Sequence, residues 1–270
     1  MSRSISSGRS FSCFIIGETS LPIRCAEFLL EEGHQIKGII TPDATLAKWG
    51  LSKGIPVYDS SAGLAEILTR EGQFDYLFSI FNSLIIPEAV LSLPARFAVN
   101  CHDGPLPRYA GMNAASWALL RGEHSHAVTW HVMTKGIDDG DVLVQRHFEM
   151  AEDATSFSMN IKCYEAAAVS FRELVDGLST GRIIPAPQDL SKRTLTARSD
   201  RPKNGAIVSW NRPAAELHRL FRGLNFGSYP NPLGLPLMLA KGELFVLTGC
   251  SVGEREAGTA APAADRKSVV

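Results

Sequence analysis

The sequence contains no G-x-G-x-x-G motif and no P-loop. Its first strand-to-helix turn reads GETSLP, without the glycines that let a backbone approach a pyrophosphate at a helix N-terminus. That argues against a nicotinamide oxidoreductase. The five cysteines, Cys13, Cys25, Cys101, Cys163 and Cys250, are odd in number, widely spaced and never in a C-x-x-C pair. A disulfide framework and a structural zinc site are therefore disfavoured, and a reducing, cytoplasmic setting fits. No apolar run is long enough to span a bilayer, and the polar opening MSRSISSGRS lacks a signal-peptide pattern. No internal repeat is visible. The formal net charge of -1 gives no chain-wide attraction to nucleic acid or to an anionic membrane.

What is present is an ordinary soluble composition, 45% apolar and 20% charged over 270 residues, enough for a sizeable core. Compact apolar runs (FSCFIIGE, QIKGIIT, DYLFSIF, FAVNCH) alternate with segments of helical spacing. This pattern predicts an α/β fold: a Rossmann-like, mostly parallel sheet with flanking helices. Ser20 is the expected N-cap of the first helix, Pro22 suits its first turn and Gly33 its end. AVTWHVM and DVLVQRHFEM alternate like an antiparallel pair joined by KGIDDG, and a long helix follows. Near Pro185–Pro187 the composition shifts, so a small C-terminal α+β subdomain is expected. The expected division is a flexible N-terminus over 1–10, a catalytic domain over 11–185, the subdomain over 186–252 and an Ala-rich linker or tail over 253–270. Between Arg182 and Pro232, nine Lys/Arg stand against three Asp/Glu. A solvated basic face fits this surplus, and so does a docking face for an acidic or phosphate-bearing partner.

The chemistry concentrates in VNCHDGPLPRYAG, which leaves a buried strand at its carboxyl end, where ligands bind in such sheets. Asn100 and His102 lie two apart on an extended segment, so they share a face and can both donate to one developing oxyanion, as acyl transfer requires. A buried histidine satisfied by a backbone carbonyl is the competing reading. Cys101, between them, is either a nucleophile or a small apolar residue facing the other way, and the alternation favours the latter. GPLPRYAG forms a rigid turn able to hold polar groups at a fixed angle. In KGIDDGD three acids follow a strand carrying His131, and Asp138 is the candidate to orient His102 and favour its cation. Acids that only cap turns would give the same pattern.

Asn100-x-His102, LPRYAG, WALLRGE, AVTWHVMTKGIDDGDVL and Gln145, in this order, resemble the folate-dependent formyltransferase family. The similarity runs from about Phe11 to Met150. It implies that Asn100, His102 and Asp138 form a catalytic trio, with Asp139 and Asp141 as neighbours. It also implies 10-formyltetrahydrofolate as formyl donor, a primary amine as acceptor and no metal. The pterin would lie against FNSLIIP, with Phe81, Ser83 and Ile86 as contacts, and against Gly136, Ile137 and Asp138 of the acidic loop. Where the family reads close to SLLP-x-Y-R-G, this chain has DGPLPRYAG, with Ala110 in place of an Arg, a departure on the acceptor side. The wording HDGPLPRYAGMNAASWAL and the WHVM segment are most similar to formyltransferase domains of nonribosomal peptide synthetases, which serve antibiotic biosynthesis. On that resemblance the acceptor is an aminoacyl group on a carrier protein's phosphopantetheine arm, with an adenylation domain adjacent, no membrane and no nucleic acid. A sugar-nucleotide amine is the alternative acceptor, ahead of methionyl-tRNA and of hydrolysis of the donor.

Overall fold

The computed structural model describes residues 8–59 and 63–250. Most of the expected flexible N-terminus and all of the expected tail lie outside these residues. The chain runs β1 (Ser12–Gly17), α1 (Leu21–Glu31), β2 (Gln35–Ile40), α2 (Ala44–Ser52), β3 (Val57–Tyr58), α3 (Leu64–Arg70), β4 (Tyr76–Ile80), α4 (Glu88–Leu91) and β5 (Phe97–His102). It continues through β6 (Ala110–Gly111), α5 (Ala114–Arg121), β7 (Ser125–Val132), β8 (Val142–Glu149) and α6 (Ser156–Thr180). The remaining elements are β9 (Leu195–Thr196), α7 (Ala214–Gly223), β10 (Leu237–Ala240) and β11 (Glu243–Val246).

Seven strands form one sheet in the order β3-β2-β1-β4-β5-β7-β8. β1 through β5 pair in parallel and β7 joins β5 antiparallel, so the mostly parallel, Rossmann-like sheet expected from the alternation is present. The parallel strands are apolar on both faces because helices cover both. One face packs Phe14, Leu77 and Ala98 under α3 and α4. On the other, Phe171 of α6 meets Phe78 and Trp130, and the Trp130 indole N–H donates to Ser170 at 2.9 Å. Local cues act largely as expected. Asp43 caps α2 by accepting from Leu46 N at 2.7 Å, and Gly33 takes φ +79 just past α1. Ser20 occupies the N-cap position of α1, but its hydroxyl meets the Tyr164 hydroxyl at 2.6 Å and caps nothing.

The strand order reverses at β1 and β4, the switch point where crevices open in doubly wound sheets. Gly17 and Ile80 face each other there, and a Cβ on Gly17 would stand 2.4 Å from the Ile80 carbonyl oxygen, so only glycine fits.

The chain divides into two compact units. The first comprises the chain up to Ala110, Ala127–His147 and Cys163–Thr194; the second comprises Gly111–His126, Phe148–Lys162 and the chain from Leu195 on. The second unit draws on more chain than the composition shift near 185 indicates. The reason is its core, in which Leu217, Leu220 and Phe221 of α7 are buried with Trp117 and Leu120 of α5 packed against them. Its small sheet pairs β10 with β11 antiparallel. Among the described residues no helix is long and apolar enough to cross a membrane, and no His, Cys, Asp and Glu cluster is arranged to hold a metal ion.

At the opposite end of β1, the His34 ring stacks on Phe11 with centroids 3.7 Å apart and accepts the Phe11 N–H at Nδ1. Burial holds this imidazole below its ordinary titration range. The folded chain therefore takes up fewer protons here than the unfolded one. The stabilisation is complete above pH 6.5, the unperturbed histidine value, and is lost as pH falls below it. We expect the unfolding free energy of wild type, from urea titrations, to fall from pH 7.5 to pH 5.5 more steeply than that of His34→Gln, by at most about 1.4 kcal/mol per pH unit. Parallel pH curves for the two proteins would show that His34 carries none of this dependence.

Candidate active site

The site is built on the carboxyl ends of β4 and β5 and on β7 beside them. Within β5, Asn100 and His102 project to one face, Cys101 to the other. Register then sets the neighbours: Ser79 of β4 lies opposite Asn100, and β7 places His131 opposite Asn100 and Thr129 opposite His102. His102 and His131 are 5% and 3% exposed, so their hydrogen bonds are made in a poorly hydrated environment.

Asp138 joins the two rings. One carboxylate oxygen, Oδ2, lies 3.5 Å from His102 Nδ1, and the other, Oδ1, lies 3.3 Å from His131 Nε2. On the far side of His102, Nε2 meets the Tyr109 carbonyl oxygen at 2.7 Å. Both nitrogens of His102 thus face oxygen acceptors, and only the doubly protonated ring satisfies both. Asp103 Oδ1, 3.9 Å from Nδ1, adds to the same field. Asn100 completes the set. Its Nδ2 is 3.2 Å from His131 Nε2, and its Oδ1 accepts from the Ser79 hydroxyl at 3.0 Å. The amide, imidazole and carboxylate singled out from the sequence therefore belong to one connected ring of side chains, with His131 as a fourth member that the sequence reading did not assign. The two histidine–carboxylate distances exceed those of tight charge-assisted bonds, as is common before a substrate is bound.

Asp139, the next acid of the loop, points elsewhere, its carboxylate accepting from the Thr134 hydroxyl. Cys101 is buried, and burial pushes its thiol well above its ordinary value, so no thiolate nucleophile is available there.

Three non-glycine residues around the ring adopt left-handed backbone: Phe81 at φ +47, Tyr109 at φ +60 and Asp138 at φ +50. Each such conformation costs on the order of 1–3 kcal/mol and persists only where the surroundings over-determine it. A strap formed by residues 186–194 supplies that support. Gln188 Nε2 donates to the carbonyls of Asp138 at 3.0 Å and Gly140 at 2.6 Å, and Arg193 Nη2 donates to that of Ile137 at 2.5 Å. Thr194 Oγ1 accepts from Tyr109 N at 2.8 Å. One short segment therefore holds both the loop that carries Asp138 and the carbonyl that holds His102. The turn after β5, which contains the cis peptide Leu106–Pro107, is tied from the other side. Gln145 Nε2 reaches the Leu106 carbonyl and Thr129 Oγ1, and Thr129 donates to the Gly104 carbonyl at 2.6 Å.

The expected pterin contacts divide by orientation. Ser83 is exposed and donates through both its backbone N and its hydroxyl to Glu18 Oε1, across the switch point. Phe81 is half-buried, with its ring centroid 5.8 Å from that of Tyr164. Ile86 turns inward, 7% exposed within the sheet's core cluster, whereas Ile85 beside it is 90% exposed. An apolar ring at this edge would meet Ile85 and not Ile86. Ile137 is 57% exposed, and Gly136 leaves space that a Cβ would take from the Asp139 carboxylate. The exposed side chains of Ile85 and Ile137 suit contact with a flat aromatic group at this edge.

Comparison with known proteins gives a consistent result. Residues 64–174 match the model of the formyl transferase family. Methionyl-tRNA formyltransferase of Trichlorobacter lovleyi is 31% identical over 199 residues, covering 72% of this chain and 62% of that protein. The corresponding protein of Acidithiobacillus ferrooxidans is 32% identical over 195 residues, covering 71% and 60%. The chain thus spans less than two thirds of the length of these relatives. Among solved structures, a 4-N formyltransferase from Francisella tularensis superimposes with a TM-score of 0.74 at 16% identity, covering 92% of this chain and 100% of that one. The N-formyltransferase from Helicobacter canadensis, in complex with folinic acid and dTDP-3-aminofucose, gives 0.71 at 17% identity, covering 86% and 85%. At these identities the structures show a shared fold.

The strap makes a prediction of its own. Gln188→Leu keeps the size of the side chain but leaves the Asp138 and Gly140 carbonyls without their donor, at a cost of about 1–3 kcal/mol. Hydrogen exchange of amides 136–141 should accelerate by at least roughly ten-fold while the β1 and β4 amides stay protected. Unchanged exchange in the loop would show that the strap does not hold it.

Proposed function

We propose that this chain, whose residues 64–174 form a formyl transferase domain of the folate-dependent formyltransferase family, moves a formyl group from 10-formyltetrahydrofolate to a primary amine. The observation that carries this reading is the ring of Asn100, His131, Asp138 and His102 at the carboxyl edge of the sheet, next to an exposed apolar lip. The donor supplies an activated one-carbon acyl group. Phe81, Ser83, Ile85, Gly136 and Ile137 are the residues placed to hold its pterin. Asn100 presents an amide N–H to an oxygen that gains negative charge, a contribution of roughly 3–4 kcal/mol per donor in comparable sites. The His102 cation adds a positive field on the same strand face. Asp138 keeps that ring charged and oriented, and stands ready to take up the amine's proton.

For the acceptor, we propose the amine of an aminoacyl group carried on the phosphopantetheine arm of a peptide-synthetase carrier protein, in a cytoplasmic setting. Two features support it. The wording from His102 to Leu119 resembles the formyltransferase domains of those synthetases. The basic surplus between Arg182 and Pro232 is also solvent-facing in the second unit at Arg198, Arg201 and Lys203, as docking of an acidic carrier requires. An adenylation domain adjacent to this chain is part of the same proposal. Trp130, in the segment that prompted the resemblance, is fully buried and supports the sheet only. A sugar-nucleotide amine is the second reading, because a sugar N-formyltransferase from Shewanella is matched over 99% of its length.

Incubation with 10-formyltetrahydrofolate and a panel of aminoacyl-carrier proteins, amino-sugar nucleotides and methionyl-tRNA decides among them. We expect mass addition of one formyl group to an aminoacyl-carrier protein. Addition to the sugar nucleotides alone would overturn the acceptor, and donor turnover without any amine would make the protein a hydrolase. Asn100→Ala and Asp138→Asn should each lower kcat by roughly 10²–10³-fold with the fold intact. A wild-type rate in Asp138→Asn would defeat the assignment of the site.

A further inference from the structure

His131 faces two neighbours that make opposite demands on one nitrogen. Its Nδ1 lies 2.9 Å from the Val132 carbonyl oxygen, which fixes a proton on that nitrogen. Nε2 is then either bare or protonated. Asn100 Nδ2, at 3.2 Å, is a donor and is satisfied only by a bare Nε2. Asp138 Oδ1, at 3.3 Å, is an acceptor and is satisfied by a protonated one. Turning the Asn100 amide over does not resolve the conflict without loss. Its Oδ1 receives the Ser79 hydroxyl at 3.0 Å, and Asn82 Nδ2 approaches the same hydroxyl oxygen at 3.5 Å, directing the Ser79 proton toward Asn100. The groups facing His131 are therefore Asn100 from β5 and Asp138 from the loop. His102 and Asp103 lie behind Asp138.

We propose that His131 is a positioning residue that couples the charge on Asp138 to the availability of the Asn100 amide. With Nε2 bare, the ring accepts from Asn100 and occupies that amide N–H. When a proton reaches Nε2, the ring turns donor toward Asp138 and releases the Asn100 N–H toward the reacting oxygen. The inference rests on the formyl-transfer reading, and the proton balance closes within it. As the acceptor nitrogen bonds to the formyl carbon, it gives one proton to the Asp138–His131 pair. As the bond from that carbon to the donor's nitrogen breaks, the same proton passes to the departing nitrogen. No oxidant, reductant or metal enters the balance. One of the two Asn100 amide N–H donors is thereby freed in step with proton transfer from the attacking amine.

Ring-nitrogen NMR of uniformly ¹⁵N-labelled full-length protein, without substrates, tests the coupling independently of any acceptor. In wild type near pH 7.5 we expect His131 Nε2 to show the shift of a bare, hydrogen-bond-accepting nitrogen. In Asn100→Ala, where the competing donor is gone, it should move to a protonated shift. In Asp138→Asn it should stay bare to the lowest pH at which the protein remains folded. An Nε2 signal that is the same in all three proteins would overturn the proposal, whatever the acceptor proves to be. Kinetics supply the second arm. His131→Gln retains a hydrogen-bonding side chain but takes up no proton, so kcat should fall roughly a hundred-fold while KM for the donor changes less than about two-fold. The acidic limb of its pH–rate profile should lose one ionisation. A purely structural role predicts the reverse, a raised KM with an unaltered pH profile, and that result would also overturn the inference.

Discussion

The Asp138 carboxylate is the group on which the site depends, because it is the one acceptor shared by two buried imidazoles. Remove it and His102 Nδ1 keeps only Asp103 Oδ1 at 3.9 Å, with the Tyr109 carbonyl on Nε2. His131 Nε2 would then face Asn100 alone. Three residues that look independent in the sequence therefore share one charge.

Holding a carboxylate between two rings demands a backbone that an ordinary loop does not adopt. Asp138 sits in the left-handed region, and so does Tyr109, whose carbonyl completes the His102 contacts. Neither conformation is favourable alone. Both are held by the same segment, through Gln188 and Arg193 on one side and Thr194 on the other. The two partners of His102 thus cannot shift independently. A displacement of the strap would move the carboxylate and the carbonyl together, preserving the ring's orientation better than two separate anchors would. That shared mounting is a form of preorganisation, in which the cost of fixing the geometry is met during folding and not during the reaction.

Much of the fold was legible because it depends on local pattern. Apolar runs of strand length, separated by capped helices, identified the parallel sheet and its carboxyl edge, and period-two spacing placed Asn100 with His102. Separating Asp138 from Asp139 took a family resemblance, since three acids in seven residues look alike until backbone dihedrals aim them. His131 was in view as part of an alternating strand, but its partner depended on β7 lying antiparallel beside β5 with His131 opposite Asn100. Cross-strand register of that kind is not written in either strand alone. Gln188, Arg193 and Thr194 were hidden for another reason. They act through backbone carbonyls and amides some 50 to 85 residues away, and such contacts leave no motif. Ile85 and Ile86 show the limit at its smallest, where one residue's rotation decides which isoleucine faces the core and which faces solvent.

The alternation within β5 also separates two kinds of chemistry that would interfere if mixed. Asn100 and His102 face the polar ring, whereas Cys101 faces the opposite side, where Cys25 of α1 and Cys163 of α6 lie close enough to reinforce the upward shift of its thiol. All three thiols are pushed above their ordinary range by burial and remain neutral, so that face contributes packing without charge. A slip of one residue in β5 would exchange the faces, burying an amide and a cation among thiols and presenting Cys101 to the ring. Two flanking strands oppose that slip at the same residue, with Ser79 of β4 and His131 of β7 both in register with Asn100 and both bonded to its side chain. The side-chain bonds that orient the Asn100 amide therefore also mark the register of β5 between its two neighbours.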